Sequence, residues 1–291
     1  MKKKESFPFP WKHVHFVGKM NLDLENPVLY RYESFSRFER MKNQDKITFI
    51  SPLVWPDLFE QRFFSKAFLN KFFGKSGADY QNRFFALCFT LDGTENADAM
   101  WSVRAKEDDG DFCIRYSVNL WRFLDELERN ADKNGIDFYL SSIAYDYTQE
   151  QLLSNLHIES AKKGLCGSVR NFLNILRFKR RNFKYENEVR IWAVRNNSLN
   201  VDKPTLLELD MDWMALNLQI LVAPYKSDIK WNGNLIEHNR QKRNSARKIM
   251  ENQKSRILAL GIPKDNVRLS GLYDVPLWKY SKKGSLNLIK E

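Results

Sequence analysis

The sequence predicts an α+β protein with a mixed, split β-sheet core and flanking helices, and three observations carry that expectation. Short runs such as LYRYE, KITFI, FFALCFT and QILV have the length and the β-branched and aromatic content of strands. Between them, longer stretches place apolar residues three and four apart, as helices with one buried face do. The chain also has material for a sizeable core, with 43% hydrophobic residues and 21 Phe, 8 Trp and 11 Tyr among 291 residues.

In chain order, HVHFVG (13–18) reads as extended chain leading to a strand around Val28–Glu33. Phe35, Phe38 and Met41 give residues 34–45 a helical spacing. A strand over KITFISP is stopped by Pro52, and LFEQRFFSKAFLNKFFG (58–74) reads as one aromatic helix ended by Gly74. FFALCFT (84–90) has the apolar continuity of a buried strand. An Asp-Asp-Gly turn precedes a strand over Phe112–Val118. Helices are expected at about 119–132 and 149–163, with a strand over 136–146 between them. A helix over 168–180, strands over 183–194 and 219–224, a long helix from about Leu235 to Leu260 and a strand over 267–274 complete the reading. Gly261 and Pro263 close the long helix. No repeat, low-complexity tract or linker interrupts this order. The expected organisation is an N-terminal extension (1–26), a single α+β domain (27–280) and a C-terminal tail (281–291).

Charge points to the class of partner. Lys and Arg number 47 against 36 Asp and Glu, a net charge of +11, and such a surplus attracts nucleic acid through counterion release. Between Arg170 and Lys184 lie six cations and no acid, and the 236–260 helix carries seven against Glu237 and Glu251. Arg170, Arg177, Lys179, Arg180, Arg181, Arg243 and Arg247 are the expected nucleic-acid contacts, with Phe178, Phe183 and Trp231 as aromatic neighbours. Each tract taken alone also fits an ordinary solvated helix face.

Several chemistries find no support in the chain. Cys88, Cys113 and Cys166 are odd in number, far apart and without CxxC spacing, which argues for a reducing compartment and against a thiolate zinc site. MKKKESFPFPW has no apolar run like that of a secretory signal, and no segment approaches membrane-spanning length; a cytoplasmic protein without membrane contact is expected. His13 and His15 would share a strand face, but two ligands without a third make a poor metal site, so no metal is expected. No Walker A or GxGxxG loop is present. A divalent-metal nuclease would want an acid followed two residues later by Lys; the positions after Glu186 and Glu188 are Glu188 and Arg190.

One stretch concentrates the chemical question: FKYENEVRIWAV (183–194). Read as a strand, it puts Glu186, Glu188 and Arg190 on one face with Trp192 and Val194. Two carboxylates on one face can line a cleft, or can form a charged ladder on a sheet edge that discourages aggregation.

The blocks LYRY (29–32), ISPLVWPDLFE (50–60), LCFT (87–90), MWSVRA (100–105), YENEVRIW (185–192) and ILVAP (220–224) resemble, in that order, the bacterial domain of unknown function 2971 family. The resemblance spans about Leu29 to Pro224. The chain departs at Pro56-Asp57-Leu58, where the family has Asn-Asp-Pro, and at Val103-Arg104, where it has His-Tyr. A weaker resemblance joins Arg31, Ser51 and Glu186-Asn187-Glu188, in that order, to ADP-ribosyltransferases, and implies an NAD-consuming enzyme with a fold similar to theirs. That resemblance implies that Glu188 stabilises the oxocarbenium-like ribose formed when the nicotinamide bond breaks. Glu186 would orient or deprotonate the acceptor, Arg31 would bind the pyrophosphate and Ser51 would support Glu188. Tyr32 or Trp101 would stack on nicotinamide. By analogy, such an enzyme modifies a nucleic-acid or protein target as a toxin or phage-defence effector, with an inhibitor or antitoxin as partner. The alternative from the residues themselves is a non-catalytic nucleic-acid- or partner-binding module.

Overall fold

The computed structural model describes residues 11–18, 20, 25–75, 77–91, 93, 100–101, 111–147, 168–197, 205–223, 235–270, 278–280 and 286–288. The chain divides into two compact units. The first comprises residues 1–30, 44–92 and 118–217; the second comprises 31–43, 93–117 and 218–291. Neither is one continuous stretch of chain, so no linker composition marks them in the sequence.

The strands in chain order begin with β1 (Val14–Phe16), β2 (Val28–Ser34), β3 (Lys46–Ile50), β4 (Phe84–Thr90) and β5 (Cys113–Asn119). They continue with β6 (Ile136–Ser142), β7 (Ala144–Tyr147), β8 (Phe178–Arg180), β9 (Glu188–Arg195) and β10 (Leu206–Asp210). β11 (Gln219–Val222), β12 (Val267–Leu269), β13 (Trp278–Tyr280) and β14 (Leu286–Leu288) follow. The α-helices are α1 (Phe35–Asn43), α2 (Leu58–Gln61), α3 (Lys66–Phe73), α4 (Leu120–Asn134), α5 (Val169–Ile175) and α6 (Leu235–Leu258). Strands of both orientations with flanking helices make the fold α+β, as expected.

In the first unit, β9 is a central strand. It pairs antiparallel with β4 on one side, from Thr90↔Glu188 to Phe84↔Val194, and with β6 on the other, from Ser142↔Val189 to Ile136↔Arg195. β1 adds in parallel to β6, β3 joins β4 at Ile50↔Ala86, and β10 pairs antiparallel with β3. Cross-strand partners share a sheet face, so Glu188, Arg190, Trp192 and Val194 stand beside Thr90, Cys88, Ala86 and Phe84.

Aromatic and aliphatic side chains cover that face. Phe63, Phe64, Leu69, Phe72, Phe172, Leu173 and Ile175 pack with Phe84, Trp192 and Val194. Phe64 lies stacked at 5.9 Å from Trp192 and edge-on at 5.6 Å to Phe172, geometries that add to the area term of burial. On the opposite face α4 buries Leu120, Phe123, Leu124, Leu127 and Ala131, one side of the helix by its 3.6-residue period. Phe123 meets Phe89 edge-on at 5.4 Å. The Asn119 side chain accepts the Arg122 N–H at the start of α4, and Gly135 ends it at φ 59°.

Four local expectations change, the first being that the strand over 136–146 is two, β6 and β7 on either side of Ile143, in different sheets. The single helix over 58–74 is α2, a 3-10 turn (Arg62–Phe64) and α3, because Ser65 is extended and its hydroxyl accepts the Phe68 N–H, capping a new helix. The helix over 168–180 stops at α5, because the following residues form β8 and pair in parallel with β7. The strand over 183–194 starts only at Glu188; residues Arg181–Glu186 make a 3-10 turn and Asn187 is left-handed at φ 38°. The helix expected over 149–163 and the Asp-Asp-Gly turn lie outside the described residues.

In the second unit β11 pairs antiparallel with β5 and parallel with β12. Phe35, Phe38 and Met41 of α1 are buried, as their spacing predicts. Phe35 stacks on Phe112 at 4.5 Å, and the Arg256 guanidinium of α6 lies 4.6 Å from the Phe35 ring. α6 runs into the turn at Gly261, φ 77°.

Candidate functional site

The first residue of β9 anchors a chain of buried charges. Asn187 in its left-handed conformation turns the backbone out of the 3-10 turn and into the sheet. The Glu188 N–H then donates to the Tyr145 hydroxyl at 2.8 Å, while its carbonyl accepts the Ile143 N–H at 2.9 Å. With the backbone fixed at both groups, the Glu188 side chain points to the aromatic face. Only 5% of Glu188 is exposed.

Both of its oxygens are occupied. Arg190 Nε donates to Oε1 at 2.8 Å and Lys179 Nζ to Oε2 at 3.0 Å. Arg190, 1% exposed, extends the chain inward through Nη2 to Glu60 Oε1 at 2.9 Å. Lys179 extends it outward to Glu186 Oε2 at 2.6 Å. The sequence Glu60–Arg190–Glu188–Lys179–Glu186 thus alternates in sign, and each cation is shared by two acids. The Trp55 ring covers the Arg190 guanidinium at 4.6 Å, an arrangement that favours a cation out of water. At the outer end Arg180 Nη2 pairs with Asp57 Oδ2 at 2.8 Å.

The electrostatics follow from the pairing. Burial opposes the Glu188 charge, but Arg190 and Lys179 outweigh it and hold the carboxyl well below its ordinary range. Burial likewise opposes the Lys179 and Arg190 charges, and the Glu188 and Glu60 carboxylates raise both above their usual values. Burial and the Glu188 charge push the Cys88 thiol up to about 12. Cys88 is therefore a neutral thiol rather than a nucleophile at neutral pH. Among the described residues no group of three or more His, Cys, Asp or Glu is placed to hold a metal ion, and no described helix is long and apolar enough to cross a membrane.

The structure brings Glu186 and Glu188 together, though not by strand alternation: they converge on one ammonium from a turn and a strand. The edge-ladder alternative is overturned, since β9 is paired on both sides and its head is buried. Lys179, expected to meet nucleic acid, is instead buried between two carboxylates that each accept one of its N–H groups. Arg180 is committed to Asp57. Arg177 donates to the Ser142 carbonyl at 3.2 Å, and Arg170, exposed, to the Phe16 carbonyl at 2.9 Å. Arg181 is exposed on the turn. Ser51 is buried, and its hydroxyl accepts the Leu53 N–H at the head of a 3-10 turn.

The remaining expected residues belong to the second unit. There Arg31 donates through Nε and Nη2 to Glu33 Oε2 at 3.0 and 2.8 Å. Tyr32 meets Trp101 edge-on at 4.6 Å within a cluster that includes Met100, Cys113 and Leu221. Arg243 is half-buried and Arg247 exposed on α6. Glu60 and Arg190 carry a sequence signal, since both fall in quoted blocks. Trp55 falls in the same block as Glu60, but nothing in the sequence assigns its ring to Arg190, and Tyr145 lies in none of the blocks. No family model, curated protein or solved structure matches the chain.

Proposed function

We propose that the protein is a nucleic-acid-binding module whose contact surface in the first unit is the turn Arg181–Glu186. The observation that carries this reading is a division of charge. The inner acids and bases are engaged with one another, three carboxylates sharing two cations, whereas Arg181 and Lys184 on the adjoining turn are exposed beside an exposed Tyr185. The ion-pair chain then serves as the rigid base of the turn. It fixes Glu186 through Lys179, so the backbone of the turn that carries the exposed cations is held before binding. The net charge of +11 adds long-range attraction of the same sign.

The test is binding of mixed-sequence RNA and DNA oligonucleotides across a salt series. The expected result is a linear fall of log affinity with log salt, and a slope reduced by about 2 in the Arg181→Ala/Lys184→Ala double variant, one for each phosphate contact removed. No binding to either polymer at low salt would sink the reading.

A second reading rests on a different observation: two carboxylates, one of them held ionised, converge on Lys179. Negative charge of that kind is what an oxocarbenium-like ribose requires, so NAD-dependent ADP-ribosyl transfer is proposed as the alternative. Glu188 and Glu186 would be catalytic, with Ser51 of the same unit in support. Purified protein incubated with labelled NAD and with RNA, single-stranded DNA or protein acceptors decides it. Label transferred by the wild type and lost in folded Glu188→Gln supports transfer; neither transfer nor NAD loss removes it.

A further inference from the structure

We infer that the turn Arg181–Glu186 takes unpaired nucleotides, with a base stacked on Tyr185 and the backbone phosphates on Arg181 and Lys184. The inference rests on the nucleic-acid reading and names the form of nucleic acid that this turn selects. A surface of cations alone would bind duplex and single strand alike, since both present phosphates. The turn adds something a duplex does not use. Tyr185 is 44% exposed, an aromatic side chain open to solvent between Lys184 and a fixed Glu186. Base faces are free to meet such a ring only when they are not paired and stacked within a helix.

The ring is held on a firm support. Two positions earlier, Phe183 is half-buried, with the Lys179 ammonium 4.8 Å and the Arg180 guanidinium 5.0 Å from its ring centre. Both cations are themselves fixed by acids, Lys179 by Glu186 and Glu188 and Arg180 by Asp57. The turn is therefore clamped at Phe183 and again at Glu186, and Tyr185 sits between the clamps.

The segment that Arg180 grips through Asp57 also carries exposed apolar side chains. Leu58, next to Asp57, is 76% exposed, and Val54 is 48% exposed. Of the nearby acids, Asp57 is paired with Arg180 and Glu186 shares Lys179 with Glu188, while the exposed charged side chains of the turn are Arg181 and Lys184. An exposed aromatic ring and flanking cations are the parts that sequence-tolerant single-strand sites combine.

The experiment compares the wild-type protein, Tyr185→Ala, Tyr185→Phe and Arg181→Ala/Lys184→Ala by fluorescence anisotropy. The probes are a labelled single strand of about ten nucleotides, as RNA and as DNA, within the 4–16 that such sites cover, and the corresponding duplexes. Tyr185→Ala is expected to weaken single-strand binding by about 5- to 150-fold, the equivalent of one lost stack, and to leave duplex binding unchanged. Tyr185→Phe keeps the ring and is expected to bind like the wild type. The double variant weakens both forms. If Tyr185→Ala binds single strands as well as the wild type, or loses duplex affinity equally, the stacking inference is overturned while nucleic-acid binding stands. If the wild type binds no probe, the broader reading falls with it.

Discussion

Arg190 Nε lies 2.8 Å from Oε1 of Glu188, two residues earlier on the same strand, and its Nη2 lies 2.9 Å from Glu60 on α2. A guanidinium in this position joins the sheet to the segment that covers it, because one planar group satisfies acids from both. The pair is closed to water, so its contribution depends on completeness rather than on charge alone.

Removing the cation should therefore be costly. Arg190→Met leaves Glu188 and Glu60 with an unpaired share of buried negative charge, and a loss of about 3–5 kcal/mol is expected. Urea unfolding followed by far-ultraviolet dichroism measures it. A triple variant with Glu60→Leu, Glu188→Leu and Arg190→Met should be less destabilised than the sum of its single changes. A loss under about 1 kcal/mol for Arg190→Met would show that the charges are solvated.

Acid should release the same interaction. The folded-state Glu188 carboxyl is held below its ordinary value of 4.5. Its stabilising contribution is thus present above pH 4.5 and is lost as pH falls from there towards the folded value. Stability measured against pH should decline below about 4.5 more steeply in the wild type than in Glu188→Gln. Parallel curves would contradict the assignment.

His13 is expected to act in the opposite sense. Its Nδ1 lies 2.8 Å from Asp137 and its Nε2 2.7 Å from Asp132, while Glu128 accepts its backbone N–H. The hydrogen bond to Asp137 and the contact with Asp132 raise its pKa against the lowering by burial and Lys12. The contribution is complete below pH 6.5 and disappears as pH rises through the raised folded value. Amide exchange at Val14–Val17 should accelerate over that range, and the step should vanish in His13→Gln.

Asp57 competes for a cation of the proposed surface. Asp57→Asn leaves Arg180 without its carboxylate partner, and a phosphate can then occupy the guanidinium. Nucleic-acid affinity should rise and the salt slope should steepen by about 1. An unchanged slope would place Arg180 outside the contact surface.

The sequence by itself determined the local elements whose evidence is short-range. Apolar runs marked β2, β3, β4, β5 and β11, periodicity marked α1 and α4, and Gly261 with Pro263 marked the end of the long α6, because such signals are properties of neighbouring residues. It also brought Glu186 and Glu188 forward as a pair. Tertiary structure alone decided what those acids do. Ser65 breaks an aromatic run that reads as one helix, β8 takes residues that continue a helical pattern, and β9 lies inside the sheet rather than at its edge. Glu188 finds Lys179 nine residues away across a turn, and Arg190 finds Glu60 across 130 residues. No periodicity encodes such partners. They are fixed by which strands pair and which helices cover them, and burial then converts proximity into ionisation state by removing the water that would otherwise screen each charge.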